Sequence, residues 1–162
     1  MIIKRVVIFS LSFLLASSLQ ADIFAKGKSN LGLSVGAASS YGETYTVVGL
    51  SGHYFVADNV SIAGYYRGWL GASPSQNELS VGVNYFLPLV SKVRPYAGLF
   101  VREHFVSGYD DFTAYGVRGG VSVISGGNSF VSLGYAYESY TNCQYDGECS
   151  NSYPEIIVGV SF

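Results

Sequence analysis

Eight times along the chain, apolar residues occupy alternate positions between turn signals, and the positions between them carry nearly all of the charge. The segments run Asn30–Ser39, Thr44–Phe55, Val60–Trp69, Asn77–Phe86, Arg94–Val106, Phe112–Ile124, Ser129–Tyr140 and Tyr153–Phe162. A period of two is the mark of a strand whose faces meet different surroundings. Glycine is frequent inside these segments and no helical period competes, so the expected fold is all β. Each segment has the ~9–11 residues that a tilted strand needs to cross a bilayer.

Alternation alone does not say which face meets water. In a soluble barrel the apolar face points inward, and in a membrane barrel the assignment inverts. One face reads Leu31, Leu33, Val35; Val48, Leu50; Leu79, Val81, Val83; Leu99, Val101; Val117, Val121; Leu133, Tyr135, Tyr137; Ile156, Val158, Val160 and Phe162, almost without charge. The other carries Arg67, Arg102, His104, Arg118, Glu138 and Glu155 among serines and glycines. A charge on a lipid-facing position costs about 2–4 kcal/mol at the midplane, which explains such segregation if the apolar face meets lipid. Glu103 is the exception; it sits near a loop end, where the cost falls to about 0–1 kcal/mol, or at a bulge. Tyr54, Tyr66, Tyr85, Tyr135, Tyr137 and Tyr140 lie toward strand ends, as interfacial girdles would. The expectation is an eight-stranded antiparallel up-and-down transmembrane barrel, apolar outside and polar inside.

Composition agrees. Only 12% of the 162 residues are charged and 49% are hydrophobic, with a formal charge of −2. Average usage has about a quarter of residues charged. Disorder and a basic nucleic-acid-binding surface are therefore not expected. Mean hydropathy is +0.29, yet no apolar run reaches the ~18 residues of a membrane helix.

Residues 1–21 read as a signal peptide: Lys4-Arg5, an apolar stretch Val6–Ala16, and Ser17–Ala21 as the cleavage region, with Leu19 departing from the usual small residue. Residues 22–162 form the expected barrel domain, with seven lysines and arginines against eleven carboxylates. Cys143 and Cys149 remain in a thiol-oxidising compartment and are expected to form a disulfide. Asp146 and Glu148 between them match no calcium-loop spacing.

Connections alternate in length. Ala57–Asn59, Pro88–Val93 and Ser125–Asn128 read as tight turns, and Ser40–Glu43, Leu70–Gln76, Ser107–Asp111 and Thr141–Ser152 as the longer set. With an even strand number both termini fall on the tight-turn side, the layout of barrels with short periplasmic turns and longer external loops. On the long side stand Glu43, Glu78, Asp110, Asp111, Asp146 and Glu148 without a lysine or arginine, an acidic rim; Lys92 and Arg94 sit at a short turn.

The ending Tyr153–Phe162 and the tract Gly52–Ser61 carry a family resemblance. With the leader and the eight amphipathic segments, the chain resembles the small eight-stranded outer-membrane proteins of Gram-negative bacteria, of the OmpA-transmembrane, OmpX and OmpW kind. The resemblance implies that Phe162, with Val160, Val158 and Ile156 at alternate positions before it, is the signal read by the barrel-assembly machinery. It also implies residence in the outer membrane among lipid and lipopolysaccharide.

An eight-stranded barrel is just narrow enough for side chains to fill it. Arg67, Arg102, His104, Arg118, Glu138 and Glu155, with Tyr65 and Tyr96, are expected to form an interior polar network, read as a plug, with a narrow gated channel as the alternative. Catalysis would need a nucleophile and base with an orienting acid. Ser51 with His53, and His104 with Ser107, are the candidate pairs, and neither has an acid in register. The expected function is non-catalytic and monomeric: acidic external loops serving surface interaction, through an extracellular ligand, or envelope integrity, with no cofactor. A lipid-modifying barrel enzyme is the main alternative.

Overall fold

The computed structural model describes residues 22–143 and 149–162. The signal-peptide expectation for 1–21 and the loop carboxylates Asp146 and Glu148 lie outside them. Eight strands, β1 (Ser29–Ser40), β2 (Glu43–Ala57), β3 (Val60–Leu70), β4 (Gln76–Phe86), β5 (Val93–Val106), β6 (Phe112–Gly126), β7 (Ser129–Tyr140) and β8 (Ser150–Ser161), follow one another in sequence order. Each pairs antiparallel with the next, and β8 returns to β1 to close a barrel.

Parity along the strands sets the two faces. Leu33, Val81, Leu99, Val117, Leu133 and Val158 are exposed on the outer wall, and Ser61, Asn84, Arg102, Ser122 and Glu138 are buried inside. Glu103 is outward and accepts a hydrogen bond from Thr113 Oγ1 at 2.7 Å. No bulge redirects it, because the ladders to β4 and β6 continue through it in register. Bulges occur instead at Phe55/Ala57 and Ile124/Gly126, beside the lower turns.

The lower end of the barrel carries both termini and the connections Asp58-Asn59, Leu87–Lys92 and Gly127-Asn128. The upper end carries Tyr41-Gly42, Gly71–Ser75, Ser107–Asp111 and Thr141–Cys149. The expected contrast in length is therefore weaker than the sequence suggested. Tyr41 (φ 52°) and Gly42 (φ 77°) close β1 and β2 in a two-residue turn of type I′ dihedrals, so Ser40–Glu43 is not a long loop. A tyrosine in left-handed backbone is uncommon, which hid the turn from composition rules. Pairing of Ser150, Asn151 and Ser152 with β7 likewise starts β8 before Tyr153 and shortens the last loop. In that loop Cys143 and Cys149 are joined by a disulfide.

Three side chains lie elsewhere than expected. Glu78 is buried inside the barrel, 2% exposed, rather than on an acidic rim. Its position follows the parity of Ser80 and Asn84 on the same strand, which outranks nearness to a loop. Tyr140 points inward, edge-on to His104 with centroids 5.6 Å apart, and is no part of an outer girdle. Arg94 opens β5 pointing into the barrel, where it pairs with Asp22 at 2.6 Å.

The lower lumen is filled largely by aromatic side chains, unlike the polar interior expected throughout. Residues 22–28 fold across the bottom of the barrel, held by Asn59 N–H donating to Phe24 O and Gly27 N–H donating to Phe55 O, both at 2.8 Å. Phe24 stacks on Phe86 with centroids 4.5 Å apart, and Ile23, Phe55, Tyr96, Phe130 and Ile157 complete an aromatic floor.

Candidate functional site in the barrel lumen

Above the floor, strand parity delivers charged side chains from four strands, and a tyrosine from a fifth, to one level. Register pairs Arg67 (β3) with Glu78 (β4), Glu78 with His104 (β5), and Ser80 with Arg102 (β5). Glu138 (β7) and Tyr153 (β8) complete the ring from the far wall. Arg67 reaches Glu78 Oε2 with Nη2 at 2.6 Å and with Nε at 2.7 Å, and donates from Nη2 to Tyr153 Oη at 2.9 Å. Arg102 Nη1 pairs with Glu138 Oε2 and donates to Tyr153 Oη, while its Nε lies 3.4 Å from Glu78 Oε2. One guanidinium thus bridges two carboxylates across the lumen.

His104 stands between those carboxylates, Nδ1 at 3.5 Å from Glu78 Oε1 and Nε2 at 3.7 Å from Glu138 Oε1. Its ring stacks on Phe112 with centroids 4.6 Å apart. Two arginines and two glutamates leave this layer neutral when His104 is neutral. Buried ions tolerate each other's company only as a set: removing one partner strands a charge in low dielectric at a cost of about 3–5 kcal/mol.

A second layer lies below. Arg118 (β6) is 3.5 Å from Glu155 (β8), with its guanidinium carbon 4.0 Å from the Tyr65 ring centroid and 4.4 Å from that of Phe100. Asn84 Nδ2 donates to Tyr65 Oη at 3.2 Å. Gly116 makes room for Phe100, since a Cβ there would stand 2.5 Å from its Cζ. Tyr65 and Tyr96, both expected in the network, are also members of the buried cluster that forms the floor.

All six interior residues expected from sequence therefore face the lumen, in two layers. Glu78, the carboxylate that joins both arginines of the upper layer, was missed there, although counting back from Ser80 would have found it.

The candidate nucleophile pairs are not assembled. Ser51 Oγ donates to Gly32 O at 3.3 Å, and His53 Nδ1 meets Ser61 Oγ at 3.2 Å beside the floor aromatics. Ser107 is exposed in an upper connection, its N–H donated to Ser75 O. Among the described residues, no three His, Cys, Asp or Glu side chains gather to hold a metal ion. Cavities of about 50 Å³ under the upper mouth and about 20 Å³ beside Arg118 are sized for water.

The closed eight-stranded antiparallel topology has solved counterparts. The fold is that of a small outer-membrane barrel. The N-terminal β-barrel domain of Pseudomonas aeruginosa OprF superposes with a TM-score of 0.66 at 18% identity, covering 85% of this chain and 98% of that one. Neisserial surface protein A matches with a TM-score of 0.54 at 22% identity over 83% and 93% of the two chains. Ail, the attachment invasion locus protein of Yersinia pestis, matches at 0.53 and 12% identity over 85% and 99%. No protein-family profile and no curated protein matches the sequence. At these identities the outer-membrane barrels share an architecture with this chain, and activity has to be argued from its own residues.

Proposed function

We propose that this chain is a non-catalytic outer-membrane protein whose ion-filled barrel holds short external connections for surface contact or envelope integrity. The observation that carries the reading is Arg102 bridging Glu78 and Glu138 across the lumen, which ties opposite walls together where a channel would need open space. Glu43, Asp110 and Asp111 stand exposed at the upper, external end. They support a mildly acidic surface there, smaller than a rim that includes Glu78. Such a surface would meet lipopolysaccharide phosphates through bridging divalent cations or attract a cationic partner.

Ile156, Val158, Val160 and Phe162 are all exposed on the outer wall, as a segment read by the barrel-assembly machinery would be before insertion. A monomer suffices, because the bore is filled from within one chain. The lipid-modifying alternative loses support because Ser51 and His53 each hydrogen-bond elsewhere, to Gly32 O and Ser61 Oγ, and the channel alternative from the bridged lumen.

Planar-bilayer recording tests the reading: the refolded chain is expected to give no steady conductance at moderate voltage. A persistent open level would replace the plug with a pore.

A further inference from the structure

The wall of the barrel is not uniformly closed. β1 pairs with β2 along its whole length, from Ser29–Tyr54 to Ser40–Glu43. Its ladder with β8 runs only from Asn30–Ser161 to Leu33–Val158. Above that level both strands continue, β1 to Ser40 and β8 back to Ser150, without pairing to each other. Pro154, a residue that sheets tolerate where a strand has a free edge, lies in the unpaired stretch of β8. An unpaired edge in hydrocarbon leaves backbone groups without partners, so something polar must reach it. The outward residues of this stretch run from Val35 and Ile156, apolar and exposed, up to Ala37, Ser39 and Ser152, small or polar, so the opening extends from the hydrocarbon to the outer headgroup level.

A cavity of about 70 Å³ occupies the opening and runs through the wall. Its outer lining includes Val35, Leu50 and Ile156 from the lipid-facing surface, and its inner lining includes Arg67, Tyr153 and Glu155. Of the six charged side chains in the two ion layers, Arg67 at 13% and Glu155 at 9% are the most exposed, against 1–2% for the other four. The charged lumen is thus most accessible at the open seam. Arg67 spends Nε and Nη2 on Glu78 and Tyr153, and among the described residues its Nη1 has no partner. Glu155 Oε2 is buried without a hydrogen bond.

We propose that this seam is a lateral binding portal for a single-chain amphiphile with a carboxyl head, a long-chain fatty acid, entering from the outer leaflet. The tail lies along Val35, Leu50 and Ile156 in the lipid. The head sits in the portal as the protonated acid, its carbonyl oxygen accepting from Arg67 Nη1 and its hydroxyl donating to the Glu155 carboxylate. A phosphate dianion would be repelled by that carboxylate, and a cavity of 70 Å³, about two water volumes, is too small for a diacyl headgroup. The aromatic floor closes the lumen below, so the ligand is held rather than passed through. The portal goes beyond the surface role proposed above, and each can fail without the other.

Trp69 is the single tryptophan and lines the same cavity, so it reports on the occupant. The full chain, refolded into phosphatidylcholine nanodiscs, is titrated with 2-bromohexadecanoic and 16-bromohexadecanoic acid. The expected result is saturable quenching of Trp69 fluorescence, at least threefold stronger for bromine beside the carboxyl than for bromine at the chain end. Joining Ser39→Cys to Ser152→Cys, outward positions on the two edges that lie outside the proposed tail contact, with a short bifunctional thiol reagent closes the seam and is expected to abolish the saturable component shown by the same protein before joining. Heat-modifiable migration on gels checks that the barrel is intact. Equal, non-saturating quenching by the two acids would overturn the portal, as would saturable quenching that survives closure of the seam in an intact barrel.

Discussion

The floor and the upper ion layer fill the same bore by opposite means. Below, Phe24, Phe55, Phe86 and Phe130 exclude water by non-directional burial, and the plug comes partly from the segment preceding β1. Above, Arg67, Glu78, Arg102 and Glu138 are spanned by charge-assisted hydrogen bonds whose value depends on every member being present. Apolar packing degrades gradually when a member is lost, whereas an ion layer fails when its balance is broken.

The sharpest way to break that comparison is Arg102→Leu. It leaves Glu78 facing Arg67 alone and Glu138 without a cation, and is expected to remove about 3–5 kcal/mol of stability, read as a lowered urea midpoint in detergent. Phe24→Ala should cost somewhat less, about 3 kcal/mol, because residues 22–28 can detach as a unit without disturbing the ladders. Its signature is local: a thiol introduced at Ser132, buried above the floor, becomes reactive from the lower side while the gel shift on heating persists. The smallest effect is expected from Asp22→Asn. The Asp22–Arg94 pair has a 38% exposed carboxylate, so its loss should cost about 0–1 kcal/mol, and added salt should erase the difference. If Asp22→Asn proved as damaging as Arg102→Leu, the distinction between the two plugs would be lost.

Much of this was legible in the order of residues, and the errors are instructive. Charge parity placed Arg67, Arg102, His104, Arg118, Glu138 and Glu155 inside, because a membrane leaves a charged side chain few other places to be. Glu78 and Tyr140 follow the parity of their strands into the lumen, although their nearness to a loop or a strand end points to the surface. Residues 22–28 showed no strand pattern, and nothing local distinguishes Ile23-Phe24 as a floor from the same pair as a linker. Which layer each charge would join also escaped local reading, since the ladders of β3 to β8 set the heights of residues as far apart in sequence as Arg67 and Tyr153.

Period, segment length and the segregation of charge determined the barrel, its strand number and which wall faces lipid, because each is a local property repeated until only one closed sheet satisfies it. Tertiary structure alone decided where β1 and β8 stop pairing, which carboxylate each arginine meets, and what seals the lower mouth. Those depend on shear, register and the meeting of distant segments, quantities that no single stretch of chain encodes.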